Sequence, residues 1–189
     1  KHKQTLLDSS ITFFEATTAL AFDYFSQKNV DIAIVETGLG GRLDSTNVLS
    51  PVQTIITEIH YDHTHILGNS IEEIAAEKCG IFKDNTPSIT INSDKRVLNV
   101  IQEHASAKNV QVSFIQKKDI IINDHSPQST SFDYKNKKFS LPQGGSYQAQ
   151  NAVLAIKACE DFSPVITYEV IQRGLDRWSW PGRMQLMKE

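Results

Sequence analysis

Short apolar runs alternate with amphipathic stretches along much of the chain. The apolar, β-branched runs predict strands at 32–35, 52–59, 88–92 and 110–115. Apolar residues at helical spacing predict helices at 10–25, 95–107, 148–159 and 166–175, with one more between a cap at Asn69 or Ser70 and Gly80. Strands and helices that alternate in this way, with short loops, are typical of a mostly parallel sheet flanked by helices.

The pattern changes after residue 115. Ile120–Ile122 is a further strand candidate, and the polar stretch 123–130 is expected to be a loop. The runs 131–134 and 138–141 flank Lys135-Asn136-Lys137, which predicts a hairpin. The fold class expected from the whole pattern is therefore α/β, with a mostly parallel sheet and a small antiparallel β appendage.

The strand predicted at 32–35 leads into a carboxylate and a glycine-rich loop. Its apolar character predicts burial on both faces. Glu36 follows it, and three of the next residues are glycines within 38–41. Ligands of open α/β sheets bind at the carboxyl ends of the strands, so a carboxylate there is placed to hold a cation or a polar ligand. A tight turn with an exposed Glu is the alternative.

Polar side chains also follow the strand predicted at 52–59, in the stretch 60–65. If the two strands are neighbours, Glu36 and His63 converge at one edge of the sheet. A carboxylate and an imidazole suit a divalent cation whose shell phosphates complete. Lys78 lies on the helix after this loop. Taken singly, a structural Glu, a helix-entry His and a solvated Lys are the alternatives.

A second interpretation of this loop rests on four residues, His60, Asp62, His63 and His65. His and Asp side chains that gather a transition metal are typical of metal-dependent hydrolases. The first His of that signature is missing, because Glu58 stands in its place. A metal-dependent hydrolase stays the alternative to a phosphate-assisted magnesium site.

Two nucleotide-binding motifs are absent from the chain. The glycines within 38–41 do not form a dinucleotide fingerprint, because no helix signal follows in 42–51. The Walker loop, Gly-x-x-x-x-Gly-Lys-Ser/Thr, does not occur in the 189 residues.

Composition narrows the classes of partner. The chain is 40% hydrophobic and 22% charged, with a net charge of -3, which argues against a general binder of nucleic acid or anionic membranes. No run of apolar residues is long enough for a transmembrane helix. Cys79 and Cys159 are far apart in sequence and are expected to be free thiols of a cytoplasmic protein.

Five motifs together resemble the folylpolyglutamate synthase and dihydrofolate synthase family, which belongs to the Mur-ligase superfamily. They occur in the order of that family and span most of the chain, at 13–18, 36–47, 62–81, 148–152 and 180–183. The longest reads Glu-Thr-Gly-Leu-Gly-Gly-Arg-Leu-Asp-Ser-Thr-Asn and includes the glycine-rich loop.

The resemblance implies an ATP- and Mg²⁺-dependent amide ligase. Such enzymes phosphorylate a carboxylate to an acyl phosphate, which an amine then attacks. In the folate enzymes the carboxylate belongs to dihydropteroate or to a folate γ-glutamyl tail, and the amine is that of L-glutamate. The resemblance also implies a cytoplasmic monomer with small-molecule substrates and no nucleic-acid or membrane partner.

The resemblance further implies roles for individual residues. Glu36 and His63 match protein ligands of Mg²⁺, and Lys78 matches a carbamylated lysine that can hold a second Mg²⁺. Asn151 matches a residue that contacts adenine, and Arg183 matches one that reaches the ATP phosphates, so Lys78 and Arg183 are the expected catalytic residues. The pterin-side pocket is matched by Thr12, Phe13, Phe14, Glu15, Leu43, Asp44 and Ser45.

Some positions depart from the family. His60 stands where the family usually has Gly, and Glu58 replaces a small residue. The Walker loop and the C-terminal Rossmann-like domain of the family are not matched in these residues. We therefore expect 1–179 to be a truncated central ATP-binding domain, 180–189 to be a linker, and the 189 residues alone not to turn over ATP. A non-catalytic domain with a vestigial site is the third possibility.

Overall fold

A computed structural model describes residues 11–180 of the chain. Within them, two separate three-stranded sheets form. The parallel sheet has the order β1-β2-β3 and consists of β1 (Thr54–Ile56), β2 (Ser88–Thr90) and β3 (Val112–Phe114). The antiparallel sheet consists of β4 (Ile120–His125), β5 (Thr130–Tyr134) and β6 (Lys137–Leu141). The predicted fold class, a parallel sheet with an antiparallel appendage, is confirmed.

Six α-helices accompany these sheets in residues 11–180. They are α1 (Phe13–Lys28), α2 (Thr64–Leu67), α3 (Ile71–Cys79), α4 (Lys95–Ala107), α5 (Ser146–Phe162) and α6 (Tyr168–Asp176). Two 3-10 turns, Ser45–Val48 and Lys117–Asp119, lie in the connections. No helix in this part of the chain combines the length and apolar character needed to cross a bilayer.

Side-chain caps fix where α1 and α3 begin. Thr12 accepts a hydrogen bond from the amide of Glu15, whose carboxylate accepts one from the Thr12 amide. Ser70 and Glu73 form the same reciprocal pair at the start of α3. Each box satisfies backbone N–H groups that a helix leaves without partners in its first turn. Of the two caps considered for α3, Ser70 is the one the structure uses.

The parallel sheet is covered on both faces. Helices α3 and α4 pack on one face, in a core that includes Ile56, Ile74, Cys79, Phe82, Val97 and Ile101. Helix α5 packs on the other face and also on the inner face of the antiparallel sheet, in a core that includes Ile89, Ile91, Phe132, Phe139, Val153 and Ile156. One helix thus serves both sheets and joins the appendage to the parallel layer.

The predicted hairpin is confirmed, with a two-residue turn. Lys135 and Asn136 have φ of 50° and 60°, and Tyr134 pairs with Lys137. Positive φ at both central residues is the signature of a type I′ turn, whose twist matches that of the strands. The loop expected at 123–130 is wrong at its start, because β4 continues through His125 with an irregularity between Ile122 and Asp124.

The buried strand predicted at 32–35 is wrong. These residues have no regular secondary structure, and Ile32 and Ile34 are 59% and 96% exposed. An apolar run becomes a doubly buried strand only when a neighbouring strand pairs with it, and no strand of the described residues does so. Glu36 therefore follows an exposed, irregular segment and not the end of a paired strand.

Some predictions fall on residues outside those described. The motif at 180–183 and the expected helix start at Ser10 extend beyond 11–180. The division of the chain into 1–179 and 180–189 stays a prediction.

Candidate active site

The carboxylate of Asp44 closes the glycine-rich loop on itself. One oxygen accepts hydrogen bonds from the amides of Gly38 at 2.8 Å and Leu39 at 2.9 Å. The other accepts from the amide of Thr46 at 2.9 Å and from the Thr46 hydroxyl. The same contact caps the 3-10 turn that begins at Ser45. A side chain expected to line a substrate pocket is thus used to shape the loop.

These bonds also keep Asp44 ionised. Partial burial raises the pKa of the Asp44 carboxyl, but the hydrogen bonds from the Thr46 hydroxyl and from the loop amides outweigh it. The net result is a pKa below the usual value, since donors aimed at a carboxylate stabilise its charged form.

The loop docks on the C-terminal end of α3. The amide of Arg42 donates to the carbonyl of Glu77 at 2.8 Å, and the Arg42 guanidinium pairs with the Glu77 carboxylate at 2.9 Å. A Cβ atom at Gly41 would lie 2.9 Å from the carbonyl oxygens of Glu77 and Lys78, so only glycine allows this approach. The loop and the backbone of Lys78 are therefore held together.

A second set of contacts fastens the far end of the loop. The amide of the Asn47 side chain donates to the carbonyls of Arg42 and Gly80, both at 3.1 Å. The carbonyl of Asn47 accepts from the ammonium of Lys83 at 2.7 Å. The loop is thus tied to the end of α3 through Arg42 and to the segment that follows α3 through Asn47.

Helix α1 lies against the other side of the loop. A Cβ atom at Gly38 would come within 2.7 Å of the Phe14 ring, and the Ser45 hydroxyl bonds that of Thr18 at 3.1 Å. Phe13 and Leu43, by contrast, are 88% and 79% exposed. The structure therefore places α1 against the glycine-rich loop, through Phe14 and Thr18, and leaves two apolar side chains facing solvent. The shared pocket stays a prediction.

His63 adopts an unusual backbone conformation. Its φ and ψ are 47° and 39°, the left-handed region that non-glycine residues seldom occupy. The carboxylate of Asp62 accepts a hydrogen bond from the His63 amide at 2.8 Å and lies 3.7 Å from Nε2 of its ring. Strained backbone that the surroundings hold in place is frequent at functional sites.

A buried hydrogen bond and a partly exposed ion pair anchor the segment that leads to His63. The amide of Ile59 donates to Oδ1 of Asn92 at 2.8 Å. Lys117 forms an ion pair with Glu58, whose second carboxylate oxygen lies 3.6 Å from Nε2 of His60. The sequence motifs pointed to neither Asn92 nor Lys117; the only signal for Asn92 was a polar residue at the end of a predicted strand.

Among the described residues of the predicted site, Glu36 and Lys78 are the ionisable ones whose side chains have no partner. Neither side chain makes a hydrogen bond or ion pair to another residue in 11–180. Glu36 is exposed and Lys78 is half-buried. Both are therefore available to a ligand that supplies the missing contacts.

The alternative cluster of His60, Asp62, His63 and His65 does not gather into a cage. The rings of His63 and His65 are 6.2 Å apart, and all four residues are exposed. In the described part of the chain, no group of three or more His, Cys, Asp or Glu side chains is arranged to hold one metal ion. The hydrolase alternative has no metal-binding cluster to rest on there.

The remaining predicted residues have varied surroundings. Thr12 and Glu15 are bonded to each other in the cap of α1. Asn151 is exposed on α5, and its amide donates to the side chain of Gln148 at 3.3 Å. Arg183 lies outside the described residues. The functional roles given to these residues stay predictions.

The family model of the Mur ligase middle domain matches residues 3–159. The chain belongs to the Mur ligase middle domain family. It is 40% identical over 189 residues to the dihydrofolate synthase/folylpolyglutamate synthase of Bacillus subtilis, an alignment that covers 94% of this chain and 44% of that protein. The resemblance drawn from the motifs is thereby confirmed.

Solved structures agree with this assignment of the Mur ligase middle domain. A folylpolyglutamate synthase from Thermotoga maritima matches 94% of this chain and 42% of its own, with a TM-score of 0.82 and 35% identity. An FPGS–AMPPCP–folate complex matches 96% of this chain and 47% of its own, with a TM-score of 0.82 and 30% identity. The chain thus spans less than half the length of these relatives. The monomeric state and cytoplasmic location implied by the motifs stay predictions.

Proposed function

We propose that this Mur ligase middle domain serves an ATP- and Mg²⁺-dependent ligase that joins L-glutamate to dihydropteroate or to a folate γ-glutamyl tail. The carboxylate of the acceptor is activated as an acyl phosphate, and the amine of L-glutamate displaces the phosphate to form the amide. The inability of the 189 residues alone to turn over ATP stays part of this proposal.

The docking of the glycine-rich loop on α3 is the observation that carries the proposal. It holds the segment after Glu36 beside Lys78, through the bond of the Arg42 amide to Glu77. The relatives that share this chain's sequence are named dihydrofolate and folylpolyglutamate synthases, and one solved neighbour is a complex with AMPPCP and folate. The loop that follows Glu36 lies against the backbone of Lys78, and a carboxylate and a lysine brought near each other suit the transfer of a phosphoryl group.

The donor chemistry fits Mg²⁺. Glu36 is a carboxylate without a partner among the described residues, and the His63 ring is about half exposed, with a side-chain relative exposure of 52%. In the proposed site these two residues hold Mg²⁺, which keeps water and phosphate oxygens as its other ligands. When bound, the ion neutralises charge on the transferring phosphoryl group.

Lys78 suits the carbamate that the family resemblance implies. Its side chain is half-buried and has no counter-ion in residues 11–180. A half-buried ammonium without a partner is unfavourable, whereas a carbamate on the same nitrogen is an anion that a cation can balance. Lys78 in this form is the proposed ligand of a second Mg²⁺.

The substrate side of the proposed site is formed by α1 and the loop. Phe13 and Leu43 offer exposed apolar surface for a flat pterin ring, and Phe14 packs on Gly38 of the loop. Asp44 keeps its own loop closed while the substrate is bound, with Ser45 bonded to α1. Asn151 is proposed to contact adenine and Arg183 the phosphates of ATP.

A ligation assay on the full-length gene product tests the proposal. ATP, Mg²⁺ and L-glutamate are supplied with dihydropteroate or with tetrahydrofolate, and ADP and the glutamylated product are measured together. We expect one ADP per amide formed and no product without Mg²⁺. Glutamate addition to neither acceptor would overturn the proposal.

A matched pair of variants tests the role of Glu36. Glu36→Gln removes a charge from the proposed magnesium site, and we expect a loss of at least about 100-fold in kcat/KM, as for the removal of one electrostatic stabiliser. Glu103→Gln changes an exposed carboxylate on α4 and should leave the rate unchanged. Equal activity of the two variants would leave Glu36 without the proposed role.

A further inference from the structure

The side chain of Asn92 makes three hydrogen bonds from a buried position just past β2. The residue is 6% exposed. Its Oδ1 accepts from the amide of Ile59 at 2.8 Å, and its Nδ2 donates to the carbonyl of Thr57 and to the hydroxyl of Thr90, both at 2.8 Å. The side-chain amide is therefore satisfied through both its donor and its acceptor.

The Asn92 side chain bonds backbone groups that lie just past the last pair of the sheet. The last backbone pair between β1 and β2 is Ile56 with Thr90, and the Thr90 hydroxyl donates to the Ile56 carbonyl at 2.9 Å. Beyond that pair, the Asn92 side chain donates to the C=O of Thr57 and accepts from the N–H of Ile59, as the backbone of a neighbouring strand would. It extends the ladder past the regular strand.

Ile59 is the last buried residue before the His63 loop. Residues 60–66 are all exposed, and the hydrogen bond of the His63 amide is local, to the carboxylate of Asp62. The next buried side chain is that of Leu67, at the end of α2. The bond between Asn92 and Ile59 therefore sets where this loop leaves the sheet.

We infer that Asn92 is a positioning residue for His63: its buried amide fixes the exit of the loop and thereby the place of the imidazole. The inference rests on the proposed role of His63 in binding Mg²⁺. A second contact, the ion pair of Glu58 and Lys117, anchors the same segment. Its side chains are partly exposed, so it stabilises the segment less than the buried Asn92 bonds do.

Two variants separate positioning from general stability. Asn92→Ala removes all three bonds, whereas Asn92→Asp keeps the shape and the acceptor for Ile59 and loses the two donated bonds. Ile101→Val trims a buried side chain on α4 that makes no contact of this kind and serves as the control for lost stability. All three are made in the full-length gene product.

The first experiment is a titration with Mn²⁺ in the presence of AMPPCP, followed by NMR. Paramagnetic Mn²⁺ bound near His63 broadens the signals of its ¹³C-labelled ring. We expect both Asn92 variants to need about tenfold more Mn²⁺ for half-maximal broadening, as for loss of a residue that orients a metal ligand. Ile101→Val should titrate like the parent protein. Unchanged titrations in the Asn92 variants, or equal shifts in all three, would overturn the inference.

Hydrogen exchange without metal gives a second readout. We expect the amide of Ile59, which is bonded to Asn92, to exchange at least about tenfold faster in Asn92→Ala and at the parent rate in Ile101→Val. Asn92→Asp keeps the acceptor for this amide and should give a smaller increase. If Mn²⁺ broadens no His63 signal in the parent protein, the proposed metal role of His63 fails. The exchange rates then still decide whether Asn92 holds the loop: equal rates in the parent and in both Asn92 variants would overturn the inference.

Discussion

The backbone of Arg42 lies directly over Gly80: a Cβ atom at position 80 would come within 2.7 Å of the Arg42 nitrogen. The backbone of Gly80 is right-handed, with φ of -58°, so space and not conformation excludes a side chain there. This contact is part of the docking of the glycine-rich loop on α3.

Gly80→Ala is expected to lower the free energy of unfolding by roughly 1–3 kcal/mol, the usual range for a side chain forced into a packed site. The loop must move away from α3 to admit the methyl group. Gly174→Ala is the control, since Gly174 lies within α6 with open space around it and should stabilise the protein by about 0.5–1 kcal/mol. Urea unfolding measures both, and a neutral Gly80→Ala would contradict the close docking.

Asp44→Asn is expected to lower the free energy of unfolding by roughly 1–2 kcal/mol at neutral pH, because the side-chain amide of Asn cannot accept all four hydrogen bonds. The hydrogen bonds hold the pKa of Asp44 below its usual 3.8 against the effect of partial burial. The ionised Asp44 carboxylate therefore stabilises the fold fully at pH values above its usual pKa of 3.8. This stabilisation is lost as the pH falls through the lowered pKa of the folded protein.

Urea unfolding at pH 7 and between pH 2 and 4 measures this difference. The difference in the free energy of unfolding between the parent protein and Asp44→Asn should become smaller at the acid end of that range. Asp124→Asn, in an exposed part of β4, should differ little from the parent throughout. A gap that stays constant down to pH 2 would argue against the loop-closing role of the carboxylate.

Cys79 is expected to resist thiol reagents in the native protein. Burial raises the pKa of this thiol to about 12, so almost none of it is thiolate at pH 8. In a Cys159→Ser background, labelling by DTNB should be slower than in urea by roughly 100-fold or more. Prompt labelling of the native protein would mean that the core formed by α3 opens readily.

Gln172 is expected to protect the edge of the antiparallel sheet. Its side-chain amide accepts from the N–H of Ser140 at 3.2 Å and donates to the C=O of Ser140 at 3.0 Å, as a neighbouring strand would. Gln172→Ala should lower stability by about 1 kcal/mol and leave β6 open to pairing between chains. Light scattering during mild heating should show earlier association than in Gln102→Ala, an exposed change on α4; identical curves would dismiss the protective role.

Local patterns predicted much of the fold. Helix α4 has the bounds expected from its apolar spacing, because the Asp94 side chain caps it where the pattern starts. The run at 32–35 shows the limit, since its apolar residues predict burial but burial depends on a partner strand. A hydrophobic pattern describes what a segment can bury, and the tertiary structure decides whether it does.

The sequence motifs named candidate site residues but could not give the contacts that those residues make. The motifs located the glycine-rich loop and Lys78, and the structure holds the two together. They could not show that Asp44 bonds its own loop, because those partners become neighbours only when 38–46 folds. Asn92 escaped notice for the same reason, since its partners lie far from it in sequence.

Helix α5 comes after every strand of both sheets in the described chain, yet it packs on both. During synthesis, the parallel layer must therefore wait with one face uncovered until residues 146–162 have left the ribosome. Contacts of such long sequence separation form slowly, because a large loop must close first. The antiparallel appendage is thus fixed on the parallel layer by a helix that is synthesised after both sheets.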